Sequence, residues 1–248
     1  MRVSVIFFLV AILFSCKTEK RKTLHIAVAA NAQYAMEEIL QAFENAYQIE
    51  TEMVVSASGT LTAQIEQGAP YDVLLSANMK YPKYLDERSL SVGPPEVYAH
   101  GTLVLWSVKE VSKLSLEMLL QPSIKHIALP NPQNAPYGEA AIQALIKAGI
   151  YEAVENKLVF GESVGQTTQF IASGAADVGF TALSVLKSPQ LNAMGSMLVI
   201  PAALHNPINQ GLVVIDHGNP QILENAQSFR TFLFSTEGQE ILNKWGYQ

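Results

Sequence analysis

Leu24-His25-Ile26-Ala27-Val28-Ala29 is a short apolar run that breaks into Ala30-Asn31-Ala32, after which Met36, Ile39, Leu40, Phe43 and Tyr47 recur at helical spacing. A run of that length reads as a buried strand and the 3.6-residue period behind it as an amphipathic helix, so the unit is strand, turn, helix. The unit recurs. Met53 to Ser56 leads through Ser58-Gly59-Thr60 into a helix carrying Leu61 and Ile65 that stops at Gly68, and Tyr71 to Ser76 is a third strand. Asp72 is read as a surface or strand-entry residue. A second series begins after the apolar strand Thr102 to Ser107 and a region near Leu114 to Leu120 that should be helical, with the strand Lys125 to Leu129. Leu158 to Gly161 and Val178 to Thr181 continue it, separated by helices through Ala141, Leu145 and Phe170. Such alternation is the pattern of βα units around mainly parallel sheets, an α/β fold.

The last segment has the strand Leu212 to Ile215, a helix opened by Pro220, and a final helix capped by Ser235 or Thr236 that carries Ile241, Leu242 and Trp245. No linker separates the two series, so the simplest packing returns this segment onto the first of them. The chain then crosses twice, near Ser107 and near Asn206. Residues 24–107 and 207–248 are expected to form one lobe and residues 108–206 the other, with a cleft between.

A chain of 248 residues with 49% apolar and 15% charged residues is neither disordered nor fibrous and has length for one large or two compact units. It holds 16 basic against 22 acidic residues, a formal charge of −6, with no basic cluster beyond residue 22, which argues against a nucleic-acid partner. Val5 to Phe14 is an apolar stretch behind Arg2. It is too short for a bilayer, which needs about 20 residues, and reads as the core of a signal peptide over residues 1–15. The single cysteine, Cys16, follows Leu13-Phe14-Ser15, which resembles the bacterial lipobox. Lipid on Cys16 would anchor the chain to a membrane through a polar tether, residues 16–23. The plain alternative is an incidental thiol beside an uncleaved signal anchor.

Four turns carry the chemistry: Ala30-Asn31-Ala32, Ala57-Ser58-Gly59, Ala135-Pro136-Tyr137-Gly138 and Ser163-Val164-Gly165. Each stands where a helix begins. A helix N-terminus presents unpaired N–H groups and roughly half a positive charge, so four of them facing one cleft would make a cage for an anion. Alternatively Asn31 and Ser58 merely cap their helices. Catalysis finds little support. His25, His100, His126, His205 and His217 are scattered without metal-ligand spacing, and no Gly-x-Ser-x-Gly elbow occurs. Gly161 to Thr168 is one residue short of a phosphate loop and has Gln166 where lysine is needed. Asp177 is expected to end a helix-to-strand turn.

Ala29-Ala30-Asn31-Ala32, Ser56-Ala57-Ser58-Gly59-Thr60-Leu61, Gly68-Ala69-Pro70-Tyr71-Asp72-Val73, Ala135-Pro136-Tyr137-Gly138 and Gly174-Ala175-Ala176-Asp177-Val178-Gly179 together resemble the periplasmic molybdate-binding proteins of ABC transporters. Glu237-Gly238-Gln239 through Trp245-Gly246-Tyr247 is similar to the family's last helix, so the likeness runs from about Leu24 to Tyr247. It implies a two-lobed type II periplasmic-binding-protein fold with a hinged inter-lobe cleft that holds a tetrahedral oxyanion, molybdate or tungstate. Asn31 and Ser58 would contact it from one lobe, and Tyr137 and Val164 would offer backbone N–H groups from the other. Ala30, Thr60, Thr181 and Ala182 are further candidate contacts. The family often has a tyrosine at the position of Ala182, and Asn31 is expected to supply the missing donor.

The resemblance further implies a monomeric binding protein rather than an enzyme, with no cofactor and no direct cation ligands, since the metal arrives as an oxyanion. Its partner would be an importer's permease. The physical logic is consistent. A buried dianion can be offset by charge-assisted bonds from neutral donors, each worth about 1.5–3 kcal/mol. Molybdate and tungstate carry no proton near neutral pH, whereas phosphate carries one that needs an acceptor. Competing readings are a receptor for sulfate, phosphonate or another oxyanion, an exported hydrolase using Ser58, and the effector domain of a transcription regulator. The hydrolase lacks a histidine in any of the four turns, and the regulator lacks a DNA-binding segment.

Overall fold

The computed structural model describes residues 23–111, 113–191 and 194–248. The expected signal peptide, Cys16 and nearly all of the expected tether lie outside the described residues. The first lobe starts with β1 (Leu24–Ala29), a single 3-10 turn (Ala30–Ala32) and α1 (Gln33–Tyr47). It continues with β2 (Thr51–Ser56), α2 (Ser58–Glu66), β3 (Val73–Ser76), α3 (Lys80–Glu87) and β4 (Val92–Gly101). The second comprises β5 (Leu103–Ser107), β6 (Ile127–Pro130), α4 (Pro136–Lys147), α5 (Tyr151–Val154), β7 (Leu158–Gly161), α6 (Val164–Ala172), β8 (Val178–Ala182), α7 (Leu183–Leu186) and β9 (Ser196–Val199). The chain returns through β10 (Ile208–Val214), α8 (Pro220–Leu233) and α9 (Thr236–Lys244).

Two five-stranded sheets result, ordered β2-β1-β3-β10-β4 and β7-β6-β8-β5-β9. Both follow one plan. Three parallel strands stand with the first in the middle, and an antiparallel strand lies beside the third. In the first sheet that antiparallel strand is β10, so the C-terminal segment does return onto the first series. The first crossing differs from the expected one near Ser107. Leu103–Ser107 pairs with β8 and β9, so β5 belongs to the second lobe and the chain crosses at Thr102. An apolar strand buried on both faces does not announce its sheet; only its pairing does.

One further expectation changes, and one strand, β4, has no counterpart in the sequence reading. The region Leu114 to Leu120 forms only a short 3-10 turn, Glu117–Leu120, because Pro122 disfavours helical backbone at Gln121, which is extended. β4 contains Pro94 and Pro95, residues that argue against a central strand; it is the edge strand of its sheet, where proline is tolerated.

Packing explains the layers. Met36, Ile39 and Phe43 of α1 bury against Phe229 and Phe232 of α8 and Leu242 of α9 on one face of the first sheet. Phe43 meets Phe229 edge-on with ring centroids 5.4 Å apart. Leu61 and Ile65 of α2 and Leu85 of α3 cover the other face over Ala27, Leu74 and Val213. The second lobe's core, built on Leu105, Leu129, Leu145 and Phe180, also takes in Ala29, Ala30 and Ala77 of the first, so apolar packing is continuous across the seam.

Asp72 is fully buried, which corrects its reading as a surface residue. It is a strand-entry residue whose carboxylate accepts the His25 N–H at 2.7 Å, tying β3 to β1. Asp177 does the same in the second lobe, accepting the Lys125 and His126 N–H groups at 2.9 and 3.0 Å before β8. Although burial opposes ionisation, these backbone donors hold the Asp177 carboxyl below the usual aspartate range.

Candidate functional site

The four turns lie at the carboxyl ends of parallel strands, where ligands of open α/β sheets bind. β1 runs into the Ala30–Ala32 turn, β2 into α2, β6 through a short loop into α4, and β7 through Ser163 into α6. Asn31 is the second residue of its turn, Ser58 the first of α2, Tyr137 the second of α4 behind Pro136, and Val164 the first of α6. First-turn N–H groups have no carbonyl within their own helix to accept them. All four residues are buried, none more than 4% exposed.

Contacts across the seam bring these turns together. The Gly59 N–H at the nose of α2 donates to the Asn134 carbonyl before α4 at 2.9 Å. Beside it the Tyr81 hydroxyl donates to the Gln133 carbonyl at 3.2 Å, and Lys80 pairs with Glu139 at 3.4 Å on the rim. Burial, then the charge of Glu139, pushes the Tyr81 hydroxyl up to about 12. On the other side, a Cβ built on Gly165 of α6 would stand 3.9 Å from the Ala30 Cβ. Close packing sets the aim of α4, because a Cβ on Gly138 would fall 2.0 Å from the Pro130 carbonyl oxygen at the end of β6.

Neither Asn31 nor Ser58 caps its helix. The Ser58 hydroxyl accepts the Ala77 N–H at 2.9 Å, which leaves its own proton to donate. Asn31 behaves differently from the sequence expectation. Its Nδ2 donates to Gln210 Oε1 at 2.8 Å and to the Tyr247 hydroxyl at 2.9 Å, so both amide protons are used inside the first lobe. The Asn31 Oδ1 and the Tyr137 hydroxyl are buried without a hydrogen-bond partner among the described residues.

The additional candidates separate. Ala30 is buried within the turn, whereas Thr60 is half-buried. The Thr181 hydroxyl lies 2.6 Å from that of Thr168, which donates to the Val164 carbonyl at 2.8 Å, so Thr181 braces the first turn of α6. Ala182, fully buried, precedes α7 and contributes no polar side chain. α6 is itself capped by Ser163, whose hydroxyl accepts the Gln166 N–H at 3.3 Å.

Gln210, Tyr247 and Ser184 escaped the sequence reading as site residues. Gln210 carried a signal, a polar residue between Ile208 and the apolar run Leu212 to Ile215. Its inward orientation follows once β10 is known to be a buried inner strand.

The electrostatics rest on dipoles. No side chain of the four turn residues ionises in the neutral range, because burial pushes the Tyr137 hydroxyl well up, as it does those of Tyr98 and Tyr247. Among the described residues no group of three or more His, Cys, Asp or Glu could hold a metal cation. Four helix starts and the Ser58 hydroxyl proton suit an anion with several acceptor oxygens.

The pattern of the family described as bacterial extracellular solute-binding protein matches residues 24–248. The molybdate-binding protein ModA of Rhodobacter capsulatus is 37% identical over 222 residues, 89% of this chain and 86% of the relative. A putative ABC transporter substrate-binding lipoprotein of Bacillus subtilis, YvgL, is 28% identical, covering 94% of this chain and 89% of its own. Among solved structures, the periplasmic molybdate-binding protein of Azotobacter vinelandii superposes with a TM-score of 0.85 at 33% identity, over 91% of this chain and 98% of that one.

Proposed function

The chain belongs to the family of bacterial extracellular solute-binding proteins, and from that premise we propose that it captures molybdate, with tungstate as a second ligand, and delivers it to the permease of an ABC importer. The observation that carries the reading is the meeting of four buried helix starts from two sheets with no ionised side chain among their residues. The likeness to ModA proteins supports molybdate as the ligand. The backbone N–H groups of Asn31, Ser58, Tyr137 and Val164 and the Ser58 hydroxyl hold the oxyanion, with Ala30 and Thr60 at its edge and Thr181 and Ala182 behind the second lobe's contacts.

Neutral donors suit this task. A lysine would bind any anion from a distance, whereas fixed N–H dipoles reward an oxyanion whose oxygens fall where they point. Hydrogen phosphate would bring a proton into a cage of donors, and sulfate, of equal charge, is rejected by size alone. Opening and closing about the two crossings admits and dehydrates the ligand, and the closed shape is what the permease reads. The protein acts as a monomer, exported and held at the membrane by lipid on Cys16, a reading supported by the likeness to YvgL. Replacing Cys16 with serine should release it from the membrane fraction.

Thermal melting with molybdate, tungstate, sulfate and phosphate added separately tests the ligand. At 1,000 times its dissociation constant a ligand adds about 4.1 kcal/mol, a shift on the order of 10 °C for a chain of this size. A shift with molybdate and tungstate alone is expected. A shift with sulfate alone would move the reading to a sulfate receptor, and none with any of the four would remove the ligand.

A further inference from the structure

The Ala30–Ala32 turn is held from two sides. The Asn31 carbonyl oxygen accepts the Tyr247 hydroxyl at 2.9 Å and the Ser184 hydroxyl at 2.7 Å, and these two hydroxyls lie 3.2 Å apart. Tyr247, like Gln210, belongs to the first lobe and stays beside Asn31 whatever the second lobe does. Ser184 comes from α7 in the second lobe, reaches across the seam and is 4% exposed. α7 is also fastened at the crossing itself, because the Leu183 N–H donates to the Thr102 carbonyl at 3.0 Å. Farther along, Lys187 donates to the Lys244 carbonyl at the end of α9 at 2.9 Å. A short helix rooted at the crossing therefore places one hydroxyl on the peptide that follows the Asn31 N–H.

We propose that Ser184 is a positioning residue for oxyanion capture: it locks the Ala30–Ala32 turn, and with it the N–H groups aimed into the cage, only when the lobes are closed. The inference rests on the oxyanion-receptor reading above. When the lobes part, the Tyr247 hydroxyl keeps the Asn31 carbonyl and Ser184 goes to water. The Ser184 bond must break before the ligand leaves and forms only after it has entered, so it acts on release rather than on entry. Ala182, which has no polar side chain, begins this arm two residues earlier, and Ser184 reaches the first lobe in its place.

The test uses the full chain with radiolabelled molybdate and compares the wild type, Ser184→Ala and Tyr247→Phe. Losing one buried hydrogen bond made only in the closed state should speed dissociation by roughly tenfold with association unchanged, and leave the ligand-free melting temperature within about 1 °C of wild type. Tyr247→Phe, which removes a bond present in both states, should lower the ligand-free melting temperature as well. Dissociation from Ser184→Ala within about twofold of wild type would overturn the proposal, as would a fall in ligand-free stability matching the loss of affinity, the mark of a structural role. A wild-type chain that binds no molybdate would overturn the receptor reading and the clamp with it, and is recognised because the unsubstituted protein fails.

Discussion

The Ser58 hydroxyl accepts the Ala77 N–H and has its own proton left to donate, so on the proposed reading Ser58→Ala removes two bonds at once. A lost bond to a charged ligand is worth about 1.5–3 kcal/mol, or roughly a 10- to 150-fold weaker molybdate affinity by calorimetry. The ligand-free protein should also lose about 1–3 kcal/mol in urea titration, because the Ala77 N–H is left buried without its acceptor. Unchanged affinity would place the ligand elsewhere. The position of Ser58 at a helix start is legible in Ala57-Ser58-Gly59, because small polar residues before an apolar period mark such starts. The partners of Asn31 are not. Gln210 and Tyr247 stand 179 and 216 residues away in the chain, and no local pattern says that an asparagine at a turn spends its amide protons on them.

At the scale of elements, α4 shows how little freedom the noses of these helices have. Gly138→Ala would drive a methyl group into backbone atoms of Pro130 and Pro132, which cannot rotate aside. Overpacking of this kind costs about 1–3 kcal/mol, and here α4 must shift, taking the Tyr137 N–H with it. The expected outcome is a fall of several degrees in melting temperature together with a loss of molybdate binding larger than stability explains. Near-normal affinity in a folded variant would show that the aim of α4 is not critical. The strand-turn-helix units around β1, β2, β6 and β7 were legible because period and punctuation agree there. β4 was not, since its paired prolines hide a strand whose edge position makes them harmless, and β5 was read as a strand but assigned to the wrong lobe. Local sequence carries the type of an element more clearly than its partner.

For the whole molecule, the hydrogen bonds and the ion pair that join the lobes, from Gly59 and Tyr81 on one flank to Ser184 and Lys187 on the other, describe a closed form. If capture works by closure, molybdate should lower the radius of gyration measured by small-angle scattering, and sulfate at the same concentration should not. A radius unchanged by saturating molybdate would leave binding possible but remove closure from the mechanism.

The place of β10 also dictates an order of construction. The second lobe's sheet is drawn from one unbroken stretch, β5 to β9, whereas the first lobe's sheet receives β10 between β3 and β4 only after all of the second has been synthesised. Domains generally form as units in the order in which they emerge, yet here the lobe that begins first must be finished last. Until Ile208 to Val214 arrive, β3 and β4 have no strand between them and Asn31 has neither Gln210 nor Tyr247. The surroundings of the Ala30–Ala32 turn are therefore incomplete in every partial chain. A chain held unfolded while it is carried across a membrane loses nothing by this arrangement, since the half that would otherwise fold early cannot complete itself until the rest is through.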